Sequence, residues 1–152
     1  PDFGTVQVDG LLHAHEVKLE GYEGDDRYWR KIEHAREIMA AYCYPLSTVI
    51  LPADERHPVV VNAQLLKPAI ERARTYLTRD IIDRVERYCE SGPVLQRALC
   101  ANLQIPTGLI PPLLVTGVLR ANLARYHINA ALELSAGYGD LSHLCFIEEL
   151  RS

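Results

Sequence analysis

Asp9-Gly10 constrains the first half of this chain more than any other pair of residues. An Asp-Gly dipeptide supplies the positive φ that a tight hairpin turn requires, and it has Phe3, Val6 and Val8 on one side and the run 11–19 on the other. This predicts a strand, a turn and a return strand. Asp25-Asp26 then opens a helix with Tyr28, Ile32, Ala35, Ile38, Met39 and Tyr42 at helical spacing, ended by Pro45. Leu46 to Leu51 is a short apolar run between Pro45 and Pro52, which suits a buried strand that a helical crossover makes parallel to its predecessor. The predicted order is strand, hairpin, strand, helix, strand.

The hairpin brings chemistry together. In an extended strand alternate side chains share a face, so Glu16 and Lys18 project to one side and Val17 to the other. Asp2, at the start of the first strand, is carried toward Glu16 by the turn. Two carboxylates on neighbouring strands can hold Mg²⁺ (or Mn²⁺), hard cations that take oxygen ligands. A lysine one strand-step away adds a compact positive charge that can orient or deprotonate an attacking water. Lys18 is one of three lysines here, with Lys31 and Lys67. Asp2, Glu16 and Lys18 are therefore the predicted catalytic residues of a metal-dependent phosphodiesterase.

The order Pro1-Asp2-Phe3, hairpin, Glu16-Val17-Lys18, long helix, strand resembles the core of a PD-(D/E)XK restriction-type nuclease, and most of all TnsA, the endonuclease subunit of heteromeric cut-and-paste transposases. Val60-Val61-Asn62 with Leu65-Leu66 resembles the start of the TnsA carboxy-terminal helical domain. The resemblance implies an α/β fold, with a nuclease core over 1–61 and a mostly helical, winged-helix-like domain over 62–152. It implies Asp2, Glu16 and the Val17 carbonyl as metal ligands and Lys18 as the base or water-orienting group. It implies one-strand cutting at transposon ends, with a DDE-type transposase subunit and an AAA+ ATPase regulator as partners, in the bacterial cytosol or nucleoid. The family carries a further acidic residue on a helix upstream of the Pro-Asp strand; this chain begins at Pro1, so an upstream segment is expected and the nuclease core here is incomplete without it.

Composition agrees with a packed protein: 48% of residues are hydrophobic, and no apolar stretch reaches membrane-spanning length. Residues 1–61 carry six Lys/Arg against eleven Asp/Glu, and 62–152 carry ten against nine, for a net charge of −4. Neither half has the concentrated basic content of a protein that grips DNA alone, so partners are expected to deliver the DNA. Cys43, Cys89, Cys100 and Cys145 form no Cys-x-x-Cys pair, which argues against zinc fingers and disulfides and for buried free thiols.

The back half reads as helical. Residues 63–77 carry Leu65, Leu66, Ile70, Ala73 and Leu77 at helical spacing, and Thr78 can cap a second helix through Ile81, Ile82, Val85 and Tyr88. Ser91-Gly92-Pro93 is a break. A short helix over 94–103, a turn over 104–108, a helix over 109–119 and a strand over 120–128 are predicted next. Helix, turn, helix resembles a helix-turn-helix or winged-helix module. Its second helix carries Leu109, Ile110, Leu113, Leu114, Val115 and Val118, which favours binding protein, or a structural role, over reading base edges.

Other features carry less. His13 and His15 alternate away from Glu16 and Lys18, and Ser47-Thr48 belongs to no nucleophile elbow or phosphate loop. Trp29, beside Arg30 and Lys31, suits either a DNA contact or a packing anchor. Two other functions stay open: a non-catalytic nuclease-like module that binds transposition proteins, and another PD-(D/E)XK repair or restriction nuclease.

Overall fold

The structure, a computed structural model, describes residues 2–6, 10, 12–144 and 148–149. The chain is mixed α/β and divides into two compact units, Pro1–Asp54 with Ile147–Ser152, and Glu55–Phe146. The first holds β1 (Phe3–Val6), β2 (Leu12–Leu19), α1 (Asp26–Ala41) and β3 (Leu46–Leu51). The second holds α2 (Pro58–Tyr76), α3 (Arg79–Cys89), β4 (Val94–Leu95), α4 (Gln96–Leu103), α5 (Ile110–Val115), β5 (Leu119–Arg120) and β6 (Glu133–Ala136). A last strand, β7 (Glu148–Glu149), belongs to the first.

The first unit is a four-stranded sheet in the order β1-β2-β3-β7. β1 runs antiparallel to β2, with Phe3 opposite His15 and Val6 opposite Leu12. Gly10 has φ +82°, the left-handed conformation that the turn demands; Asp9 and Val8 lie outside the described residues. β3 runs parallel to β2 from Ala14 opposite Leu46 to Leu19 opposite Leu51, because α1 makes the crossover. Asp25 caps α1, its Oδ1 accepting a 2.6 Å bond from the Tyr28 amide. Tyr28, Ile32 and Arg36 recur every fourth residue along α1 and face the sheet: Ile32 is buried, and Arg36 donates to Thr48 Oγ1 at 3.1 Å. That contact places the helix over the face shared by Ala14, Glu16, Leu46 and Thr48. Helix α1 stops at Ala41, short of Pro45, and Cys43 turns the chain at φ +60°.

The second unit packs Leu66, Val85, Leu99, Ile110, Leu113, Leu114, Leu119 and Leu134 into one core. Each such side chain contributes about 1.5–3 kcal/mol through burial. Thr78 caps α3 as its sequence position predicts, its hydroxyl accepting from the Ile81 amide at 3.3 Å. A three-stranded sheet, ordered β4-β6-β5, closes the unit. Gly117 and Gly137 permit the backbones there to approach, since a Cβ on Gly137 would run into the Gly117 carbonyl oxygen.

Several expectations are corrected here. Helix α2 begins at Pro58, in its first turn, ahead of the Val60-Val61-Asn62 run, and the compact units divide at Asp54/Glu55. Val94–Leu95 is a strand against β6, so the helix predicted from Val94 begins at Gln96. Helix α5 is shorter than 109–119: Thr116 Oγ1 bonds back to the Pro112 carbonyl at 2.8 Å and Gly117 turns left-handed at φ +73°. The strand expected over 120–128 shrinks to Leu119–Arg120. Fully buried Asn62 explains this, because its side chain takes backbone groups that a ladder would use. Nδ2 donates to the carbonyls of Leu123 at 3.0 Å and Tyr126 at 2.7 Å, and Oδ1 accepts from the Ile128 amide at 2.9 Å. Of the cysteines, Cys89 and Cys100 are buried free thiols but Cys43 is free and exposed; Cys145 lies outside the described residues. Among the described residues no single helix is long and apolar enough to cross a membrane.

Candidate active site

The middle of β2 carries the predicted residues together. Glu16 and Lys18 lie on the α1 side of the sheet, and Lys18 Nζ donates to Glu16 Oε1 at 2.7 Å with both side chains mostly shielded, 17% and 12% exposed. Asp2 brackets Glu16 from beyond the end of β1. Its backbone amide donates to the His15 carbonyl at 2.8 Å, and its Oδ2 accepts from the Val17 amide at 2.7 Å. In a strand the N–H and C=O of one residue point to the same edge. The Val17 carbonyl therefore projects to the edge that the Asp2 carboxylate occupies.

One participant was not anticipated from the sequence. Tyr28, read there as an apolar position of the helix, donates its hydroxyl to Glu16 Oε1 at 2.8 Å. The only signal available was a tyrosine in place of a leucine on a core-facing stripe, since a buried phenol normally finds a hydrogen-bond partner. The Lys18 ammonium also lies 4.9 Å from the centre of the Tyr28 ring and 5.2 Å from that of Tyr22, within cation–π range. Trp29 completes an edge-to-face cluster, 5.2 Å from Tyr28 and 6.5 Å from Tyr22 between centroids. Gly24 belongs to the same packing, because a Cβ there would stand 2.7 Å from the Tyr28 ring.

The charges are mutually stabilised. Burial pushes the Glu16 carboxyl up, but the hydrogen bonds from Lys18 and Tyr28 outweigh it and hold the group below its usual range. The bond to Glu16, then the contact with Tyr28, holds the Lys18 ammonium well above the ordinary lysine range. Burial raises the Tyr28 phenol, with Lys18 opposing it. A glutamate fixed as the anion beside a lysine fixed as the cation is an arrangement for placing charge and orienting a polar ligand.

The remaining candidates fall elsewhere. His15 lies on the opposite face, its Nδ1 2.8 Å from Ser47 Oγ, and its ring centre is 6.3 Å from that of His13. Among the described residues no group of three or more His, Cys, Asp or Glu side chains is arranged to hold a metal. A cation at this site would draw on the Asp2 and Glu16 carboxylates, the Val17 carbonyl and water, an all-oxygen set that suits Mg²⁺. In the second unit Ser142 Oγ donates straight to Asp140 Oδ2 at 2.9 Å, which leaves no histidine between them to activate a nucleophile. Comparison of the chain with protein-family models, curated proteins and solved structures finds no match.

Proposed function

We propose that this chain is the TnsA-like endonuclease subunit of a heteromeric transposase, a PD-(D/E)XK-type nuclease that cuts one DNA strand at transposon ends. The observation that carries the reading is the convergence at β2: Asp2 bonded to the Val17 amide, beside Glu16 paired with Lys18. A hairpin, a crossover helix and a parallel strand present that convergence in the order the nuclease core uses.

In this reading Asp2, Glu16 and the Val17 carbonyl would hold Mg²⁺, which when bound would supply Lewis-acid stabilisation of the scissile phosphate and lower the pKa of a bound water. Glu16 fixes Lys18 as a cation, and Lys18 orients the attacking water and offsets the charge that develops on phosphate. The strand is left with a 5′-phosphate and a 3′-hydroxyl.

The second unit, winged-helix-like in its order of helices and short strands, serves as a platform for transposition proteins, the AAA+ ATPase foremost and the DDE-type subunit beside it. Ile110, Leu113 and Leu114 are fully buried in the unit's own core, so α5 offers them neither to base edges nor to a partner. Exposed apolar residues on α2, Leu65 at 44%, Ile70 at 67% and Tyr76 at 51%, offer such a surface, and Tyr126, Tyr138 and Leu141 are exposed elsewhere in the unit.

The deciding experiment is a cleavage assay of the parent complex on transposon-end DNA, with and without Mg²⁺. Metal-dependent nicking lost in Glu16→Ala supports the nuclease. Assembly without nicking, unaltered by Glu16→Ala, would make this chain a non-catalytic module.

A further inference from the structure

We infer that Tyr28 is a positioning residue of this site, a second-layer group whose hydroxyl sets the orientation of the Glu16 carboxylate and whose ring carries Lys18. The inference rests on the metal-binding reading of Asp2 and Glu16. A glutamate has three rotatable side-chain bonds, and a ligand left to sample them binds a cation weakly. Here two donors converge on one oxygen: Lys18 Nζ at 2.7 Å and the Tyr28 hydroxyl at 2.8 Å both meet Glu16 Oε1. Donors from two different elements, β2 and α1, fix the plane of the carboxylate, and with it the direction in which Oε2 faces.

Tyr28 is itself held on three sides. Its amide bonds the Asp25 cap at 2.6 Å, Tyr22 meets its ring edge-on at 5.4 Å between centroids, and Gly24 leaves the space that the ring fills. A tyrosine present for packing alone would need only its ring. This one turns its hydroxyl onto the carboxylate, and the same ring lies under the ammonium. Groups that orient a metal's ligands typically change metal affinity 10–100-fold without touching the metal.

The test is Mn²⁺ titration of the full chain, with free Mn²⁺ followed by electron paramagnetic resonance and thermal unfolding measured in parallel. Tyr28→Phe keeps the ring under Lys18 and removes the hydroxyl, so Mn²⁺ affinity is expected to fall about tenfold or more while the unfolding temperature stays near the parent's. Gly24→Ala, which displaces the ring, is the second variant and is expected to weaken Mn²⁺ in the same direction. Tyr42→Phe, at the exposed end of α1, serves as the control with parental affinity. Parental affinity in both Tyr28→Phe and Gly24→Ala overturns the inference and leaves the metal reading standing. A parent chain that takes up no Mn²⁺ overturns both.

Discussion

The Asp2 carboxylate accepts the Val17 backbone amide at 2.7 Å, fifteen residues away in sequence. The bond joins the start of β1 to the middle of β2, so the position of Asp2 is read directly from backbone and does not depend on the hairpin tip. It also makes the Asp2 oxygens and the Val17 carbonyl neighbours on one sheet edge, which is the basis of the first prediction.

Asp2→Asn and Glu16→Gln keep side-chain size and remove one negative charge each. Isothermal titration with Mn²⁺ is expected to find binding in the parent and its loss, or a weakening by more than about tenfold, in each variant. Unaltered binding in both would move the metal elsewhere.

At saturating metal, Lys18→Ala is expected to slow strand cleavage in the assembled complex by about 10²–10³, the usual cost of removing one preorganised charge donor. Single-turnover cleavage rates at saturating metal measure it. A rate equal to the parent's removes Lys18 from the mechanism.

Much of the first unit was legible in the sequence, and the reason is local. The Asp25 cap and the two prolines around β3 each act over a few residues, so helix and strand follow without knowledge of distant contacts. The pairing of Glu16 with Lys18 is equally local, two residues apart on one strand. Tyr28 was not legible as a site residue because its role depends on how α1 lies across the sheet, and helical spacing marks the face but not what the face meets. The same holds in the second unit. Thr78 and Ser91-Gly92-Pro93 mark ends that local chemistry sets, whereas the loss of the strand over 120–128 depends on Asn62, more than sixty residues away.

Asn62→Ala strands two carbonyls and one amide, each costing about 1–3 kcal/mol when left without a partner. Denaturant unfolding is expected to find the variant less stable by about 3 kcal/mol or more. Asn62→Asp, which replaces the donor facing two carbonyls with oxygen, is expected to be no better. A change below about 0.5 kcal/mol, the range of an ordinary surface substitution, would contradict the role given to Asn62.

His143 sets a pH dependence of stability. Its Nε2 lies 3.1 Å from the Leu114 carbonyl and its Nδ1 is buried; burial pushes the group below its ordinary value of 6.5 despite the Leu114 bond. The folded pKa lies below the unfolded one, so the unfolded chain takes up the proton first as pH falls. Stability from this group is present above about pH 6.5 and is lost as pH drops toward the folded pKa. Urea midpoints are expected to decline below neutrality in the parent and to decline less in His143→Gln. Equal slopes would assign the dependence to other groups.

Leu65→Ser, Ile70→Ser and Tyr76→Ser alter exposed positions of α2, so each is expected to change stability by no more than about 0.5 kcal/mol. Combined, they are expected to weaken binding to the AAA+ ATPase at least tenfold in a purified pull-down titration. Undiminished binding would transfer the partner surface away from α2.

All three bonds made by the Asn62 side chain end on backbone atoms of Leu123, Tyr126 and Ile128. The path of this loop is thus encoded at a position outside it, and the outward residues Asn122, Ala124 and Arg125 have no part in those three bonds. Evolution can exchange such residues while the loop keeps its course, so related chains are expected to hold Asn62 fixed and diverge freely around it. The loop is a place where one scaffold can acquire different surface chemistry without being redesigned.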